Sequence, residues 1–200
     1  MIGSLIVVGL FILGITCGFF GLLPQTLLTN NYSIYALCGL MMCVGMTLGH
    51  DKEIIKKFKS LDPKMAALPL MTITGTLAGC ALISLFISNR SLTDCMAVGS
   101  GFGYYSLSSV FITQYKGAEM GTIALLSNII REISALMLAP LFVRYFGKLA
   151  PIAAGGATSL DTTLPAVAKF SGQDFLVLSM FHGAVIDLSV PFLVRLFCSF

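Results

Sequence analysis

Seven long apolar runs, separated by short polar breaks, set the pattern of this chain. They cover residues 2–23, 34–49, 65–87, 95–113, 121–146, 151–170 and 175–200. Runs of this length, near 20 residues per span, predict about seven membrane helices rather than the short alternating segments of a membrane β-barrel. Two runs depart from the pattern. The fourth contains Gly99-Ser-Gly-Phe-Gly-Tyr-Tyr-Ser-Leu-Ser-Ser109, and the sixth contains Pro151-Ile-Ala-Ala-Gly-Gly-Ala-Thr-Ser-Leu-Asp-Thr-Thr-Leu-Pro165. Glycines, hydroxyls and prolines at that density predict helices that are broken or re-entrant. Bare backbone at membrane depth persists only where it faces protein or water.

Composition agrees with that reading. The chain has 200 residues, of which 56% are hydrophobic and 10% charged, with a net charge of +3. Soluble domains carry about 25% charged residues, so the deficit excludes a soluble fold. The expected fold class is all-α: a polytopic helix bundle in one transmembrane transporter domain over residues 1–200. The first run has no basic leader and no cleavage pattern, so it reads as a spanning helix rather than a secretory signal. Segment 51–64 holds five lysines, with Ile54, Ile55 and Phe58 on one helical face. It reads as a basic amphipathic loop on the cytoplasmic side. Strict alternation of seven spans would then put the N-terminus inside and the C-terminus outside. It would also leave Arg144 and Lys148 outside, against the charge rule.

Six cysteines are scattered through apolar runs without CxxC spacing, and the two histidines are far apart, so no metal site, disulfide framework or cofactor is expected. No GxSxG, HExxH or phosphate loop is present, which argues against an enzyme, and the modest basicity argues against nucleic acid.

The chemistry lies with ionisable groups inside apolar runs. Each costs about 2.5–3.5 kcal/mol at a helix centre, so it is expected to be functional. Four stand out: Arg131, Glu132, Asp161 and Asp187. Asn128 lies one turn before Glu132 on the same face, forming a polar patch suited to an ammonium group or a proton. Arg131 points about 100° away from Glu132 and serves another neighbour. Asp161 is flanked by Thr158, Ser159, Thr162 and Thr163, whose hydroxyls can bond a carboxylate or freed backbone. The alternative for Ser159 or Asp161 is an ordinary helix cap. Asp187 suits a proton relay or a pair with Arg195. Tyr104, Tyr105 and Ser106 are candidates to line the same path. Three carboxylates against one guanidinium favour a cation or an exchangeable proton.

Ser100-Gly-Phe-Gly-Tyr-Tyr-Ser-Leu-Ser108, Asn128 with Arg131-Glu132, Gly155-Gly-Ala-Thr-Ser-Leu-Asp-Thr-Thr-Leu-Pro165 and His182-Gly183 occur in an order and spacing that resemble the bacterial lysine exporter (LysO) family. The resemblance covers nearly all of the sequence. It corresponds to the C-terminal two-thirds of longer members. It implies export of L-lysine and its analogue thialysine across the inner membrane, and a fold similar to inverted-repeat cation/proton antiporters with crossed broken helices. The family's Arg-Glu and Ser-x-Asp carboxylates, which it implies are essential, fall on Glu132 and Asp161. The shorter length implies a small membrane protein or a second copy of the chain as partner. A transporter of another cation and a non-transporting assembly subunit are the alternatives.

Overall fold

The computed structural model describes residues 63–87 and 89–200. Before them it describes only Leu13, residues 16–21, Tyr35, Gly39, Met42 and Met46. The first two apolar runs and the basic loop therefore lie almost wholly outside the described residues. The chain divides into two units, residues 1–42 and 43–200, and everything below concerns the second.

Among the described residues the structure is all helical, without strands. The α-helices are α1 (Pro63–Ala66), α2 (Leu68–Ser84), α3 (Leu92–Gly99), α4 (Tyr105–Lys116), α5 (Ala118–Met137), α6 (Ala139–Phe146), α7 (Ala150–Gly155), α8 (Leu164–Phe170) and α9 (Leu176–Cys198). Short 3-10 turns at Gly156–Leu160 and Gln173–Phe175 complete the set. The run at 121–146 reads as one segment from its hydropathy, but it is divided after Met137. Pro140 sits in the first turn of α6, where its missing N–H costs nothing.

Two pairs of short helices fold back on themselves. Ser91 caps α3 in a reciprocal capping box with Asp94, and Asp94 also pairs with Lys116 at the end of α4, 3.2 Å away. The start of α3 and the end of α4 therefore lie at the same end of the bundle. Arg90, paired with Glu119 at the start of α5, and Cys198, within the field of Asp94 and Lys116, lie there too. Helices α7 and α8 make the second hairpin from the opposite end. Lys148 stands over the Phe175 ring, and Leu149 and Phe175 pack on the cluster of Leu68, Ile152, Val167 and Leu178. Three elements connect the two ends: α2, α5 and α9. At 1.5 Å per residue, the 20 residues of α5 reach about 30 Å, a membrane thickness.

Large apolar side chains are exposed along whole helix faces, while the interior holds polar groups beside its apolar core. Along α5, Leu126, Ile130, Ile133 and Met137 form an exposed stripe at helical spacing, with Ile130 62% exposed and Met137 72%. Leu188, Phe192 and Leu196 do the same on α9. Ser159, Ser179, His182, Asn128 and Thr72 are buried. Apolar residues outside and hydroxyls inside are what an apolar solvent selects, and in water such stripes would be an aggregation liability. Both α5 and the stretch Gln173–Cys198 are long and apolar enough to cross a membrane.

Candidate functional site

The tips of the two hairpins meet in the middle of the bundle. The first tip is residues 100–104, where helical φ/ψ fails at Phe102 (φ 46°) and Gly103 (φ 93°). The second begins at Gly156 (φ 63°, ψ −125°), a conformation open essentially to glycine alone. A side chain on Gly156 would run into the Phe102 carbonyl, and one on Gly103 would stand 3.0 Å from the Gly155 carbonyl. The glycines are there because two backbones touch.

Each break frees backbone groups, and specific partners take them. In a continuous helix Gly103 N–H would bond the carbonyl of Gly99. Instead it donates to Asn128 Oδ1 at 2.7 Å. Asn128 Nδ2 donates to the carbonyls of Ala124 (2.9 Å) and Val98 (3.2 Å), with Ser108 Oγ at 3.5 Å. In the second hairpin Ala157 N–H donates across the crossing to Phe102 O at 2.9 Å, rather than to Ala153. Arg131 takes the carbonyls so released. Its Nε donates to Ala154 O (3.0 Å), its Nη2 to Ala153 O (3.1 Å) and its Nη1 to Thr76 Oγ1 (3.3 Å), and its guanidinium lies 5.7 Å from the Phe102 ring centroid. The cation thus sits at the negative end of α7 rather than on a carboxylate. Arg131 and Glu132, adjacent in sequence, serve different neighbours, as their angle around the helix requires.

The 3-10 turn before Asp161 is gripped by α9. Ser179 Oγ donates to Ser159 O at 2.7 Å, and Gly183 leaves room for the Leu160 backbone. His182 is fully buried. Its Nδ1 lies 2.9 Å from Ser159 Oγ and its Nε2 2.9 Å from Thr72 Oγ1 on α2. Ser159 Oγ can donate to Gly156 O at 2.7 Å, which sets it to accept from Nδ1–H and leaves Nε2 to accept from Thr72. A neutral imidazole fits this arrangement. The sequence offered no signal for this contact, since Thr72 and His182 are 110 positions apart.

Of the hydroxyl and amide groups expected as ligands, Asn128, Thr158 and Ser159 are buried and bonded to protein, Thr158 through Gly155 O at 2.9 Å. Thr162 and Asp161 are exposed, and Asp161 Oδ1 accepts from Thr162 N–H at 2.5 Å. Ser106 is exposed on the first turn of α4. The acids gather around the tyrosines of the first tip. Glu132 and Asp161 both act electrostatically on Tyr105, and Asp161 and Asp187 both act on Tyr104. Among the described residues, the ion pairs are Arg90–Glu119 and Lys116–Asp94, and neither involves these three acids. Asp187, read as part of a proton relay or a pair with Arg195, forms no ion pair with Arg195.

A cavity of about 410 Å³ lies on the other side of Asn128 and Arg131, between α2, α3 and α5. It runs from Arg90 and Asp94 inward past Cys80, Val98 and Ile123, and the three acids do not line it. Among the described residues no cluster of His, Cys, Asp and Glu has the geometry of a metal site.

The fold and site define a helical protein with membrane-length apolar helices and two interrupted hairpins that cross near acids forming no ion pair among the described residues. The family model described as "Lysine exporter LysO" matches residues 8–198, and the chain belongs to that family. It is 34% identical over 171 residues to a Haemophilus influenzae protein named "Putative lysine exporter", covering 86% of each chain. It is 31% identical over 194 residues to "Lysine exporter LysO" of Escherichia coli, covering 97% of this chain and 64% of that one. The chain thus spans under two-thirds of the E. coli relative but matches the length of the H. influenzae one. No solved structure matches.

Proposed function

We propose that the chain exports L-lysine, and with it thialysine, across the bacterial inner membrane in exchange for protons. The observation that carries this reading is the set of three acids at the hairpin crossing without a basic partner among the described residues. Glu132 and Asp161, both within the field of Tyr105, receive the ammonium of the substrate or the proton exchanged for it. Thr162 supplies a neutral ligand, and Tyr104, Tyr105 and Ser106 line the approach. Asn128, Thr158, Ser159 and Arg131 hold the broken backbone that presents them. Broken helices whose termini and carboxylates meet at mid-membrane support alternating access, and hairpins from opposite ends fit an inverted repeat of the cation/proton antiporter kind.

Charge supports an orientation. Arg144, Lys148 and Lys169 lie toward the end from which α2 starts, and the lysine-rich sequence 51–64 precedes α2 along the chain. At the other end, Arg90 and Lys116 are each paired with an acid. The positive-inside rule makes the first end cytoplasmic and the C-terminus external. With both interrupted runs folded back, Arg144 and Lys148 no longer oppose the rule. A second copy or a small membrane protein completes the unit, consistent with the greater length of the E. coli relative.

The test is reconstitution in liposomes with lysine-driven proton movement as the readout. Loss of coupled transport in the double variant Glu132→Gln, Asp161→Asn is expected, and unchanged transport rejects the assignment. Competition by arginine, ornithine and monovalent cations defines the substrate class.

A further inference from the structure

Asp187 sits near the middle of α9 with its side chain 7% exposed. Among the described residues no hydrogen bond or ion pair reaches its carboxylate. A carboxylate so enclosed and unpaired is costly, and proteins avoid that cost by protonation or by binding a cation. A second acceptor lies on the same residue. Pro191, inside α9, has no N–H to give to the carbonyl of Asp187 four positions earlier. Asp187 thus presents an unbonded carboxylate and a carbonyl deprived of its usual donor, within the field of a second acid, Asp161.

The remaining charged and titratable groups around α9 are engaged or distant. Tyr104 faces both acids from the first tip. His182 is bonded to Ser159 and Thr72. Lys116 and Asp94 pair with each other beside Cys198, at the far end of the helix. Arg195 lies two turns on, about 12 Å along the axis. Lys169 stands over the Phe170 ring, and Cys80 on α2 is in the field of Arg131. Arg131, whose field reaches His182, is held by the Ala153 and Ala154 carbonyls, and among the described residues no basic group forms an ion pair with either carboxylate.

We propose that Asp187 is a proton-binding site separate from the lysine-binding pair: with the site empty, Asp187 and Asp161 hold one proton between them, on the enclosed Asp187, and release it to water when the substrate ammonium settles between Asp161 and Glu132. The inference rests on the proposed lysine export. A largely buried carboxylate in the field of a second acid is neutralised by a proton in preference to carrying a second charge. An arriving ammonium beside Asp161 removes that preference, so the carboxyl O–H of Asp187 breaks and the proton leaves as lysine binds. Proton and lysine then compete without sharing every ligand, as an exchanger requires.

The experiment uses the full chain in liposomes, comparing lysine–lysine exchange at equal pH with lysine transport driven by a pH gradient. Asp187→Asn is expected to retain exchange and to lose the response to the gradient. Asp187→Glu, which keeps a titrating group, is expected to retain both with a displaced pH profile and to control for folding. A carboxylic-acid carbonyl stretch, seen by infrared spectroscopy in the substrate-free protein at neutral pH, is expected to vanish in Asp187→Asn and on lysine addition. Gradient-driven transport that survives Asp187→Asn overturns the proposal. So does loss of exchange in that variant with Asp187→Glu inactive, which would make Asp187 a lysine ligand. A sodium gradient that drives transport through Asp187 would replace the proton as its ion. If the wild-type chain moves no lysine either alone or with a small membrane protein supplying the missing segments, the export reading fails by itself, while the infrared band in wild type and Asp187→Asn still decides whether the proton is there.

Discussion

Removing the Asn128 amide should collapse the first hairpin tip before it alters any ligand contact. In Asn128→Ala, the buried Gly103 N–H loses its 2.7 Å acceptor, whereas Val98 O loses a 3.2 Å donor but keeps Gly101 N–H at 3.3 Å. Ala124 O keeps its own helical partner and loses little. A buried group left without a partner costs about 1–3 kcal/mol, which is the loss expected from the stranded Gly103 N–H, with lost packing of the amide against Gly101 adding to it. Asn128→Asp keeps an acceptor for Gly103 but sets a negative charge against two carbonyls, and it should not rescue. Ser127→Ala, one residue away, should cost under about 0.5 kcal/mol. The chain has no tryptophan and six cysteines, so unfolding in detergent is followed with a thiol-reactive dye. The expected result is a clear drop in melting temperature for both Asn128 variants beside an unchanged Ser127→Ala. Wild-type melting in Asn128→Ala together with a raised KM for lysine would refute the reasoning and make Asn128 a substrate ligand.

Three further outcomes follow from the same geometry. Gly156→Ala forces a side chain into a glycine-only conformation and against the Phe102 carbonyl, costing about 1–3 kcal/mol of strain plus about 1 kcal/mol for the Ala157–Phe102 hydrogen bond, visible as lowered melting temperature and expression. Arg131→Gln loses the fork across Ala153 and Ala154 and should abolish transport, whereas Arg131→Lys keeps the charge on one carbonyl and should retain part of it, both read as initial rates of lysine efflux. His182→Phe preserves volume but strands Thr72, while Ser159 keeps Gly156 O, for a loss of about 1–3 kcal/mol by thermal melting, and His182→Gln, which can donate and accept, should recover part of it.

The helical class and the places where helices fail were legible because glycine and hydroxyl density is a local property. Gly103 and Gly156 stand where the chain breaks, and the acids Glu132, Asp161 and Asp187 were marked by their cost in an apolar run. What hydropathy did not carry is direction. An apolar run of about 20 residues has the same composition whether it crosses or turns back, so the folding-back of α3–α4 and α7–α8 emerged only from Asp94 meeting Lys116 and Lys148 meeting Phe175. The partners of Arg131 were equally hidden. They are backbone carbonyls, which every residue has, released by a break 22 positions away. Asn128 looked like a ligand because an amide beside an acid is ambiguous. Its face of α5 was read correctly as polar, but the polar object opposite it is Gly103.

Loop tips are usually where a chain accepts extra residues, labels and fusion partners. The two tips here are the reverse, because each is the other's wall: one added residue at 102 or 156 would throw Ala157 out of line with Phe102. Spectroscopic probes and epitope tags belong instead at Gly117, Gly147 and Gly172, where a new side chain meets nothing within 4 Å, though each has a positive φ and calls for insertion beside it rather than replacement.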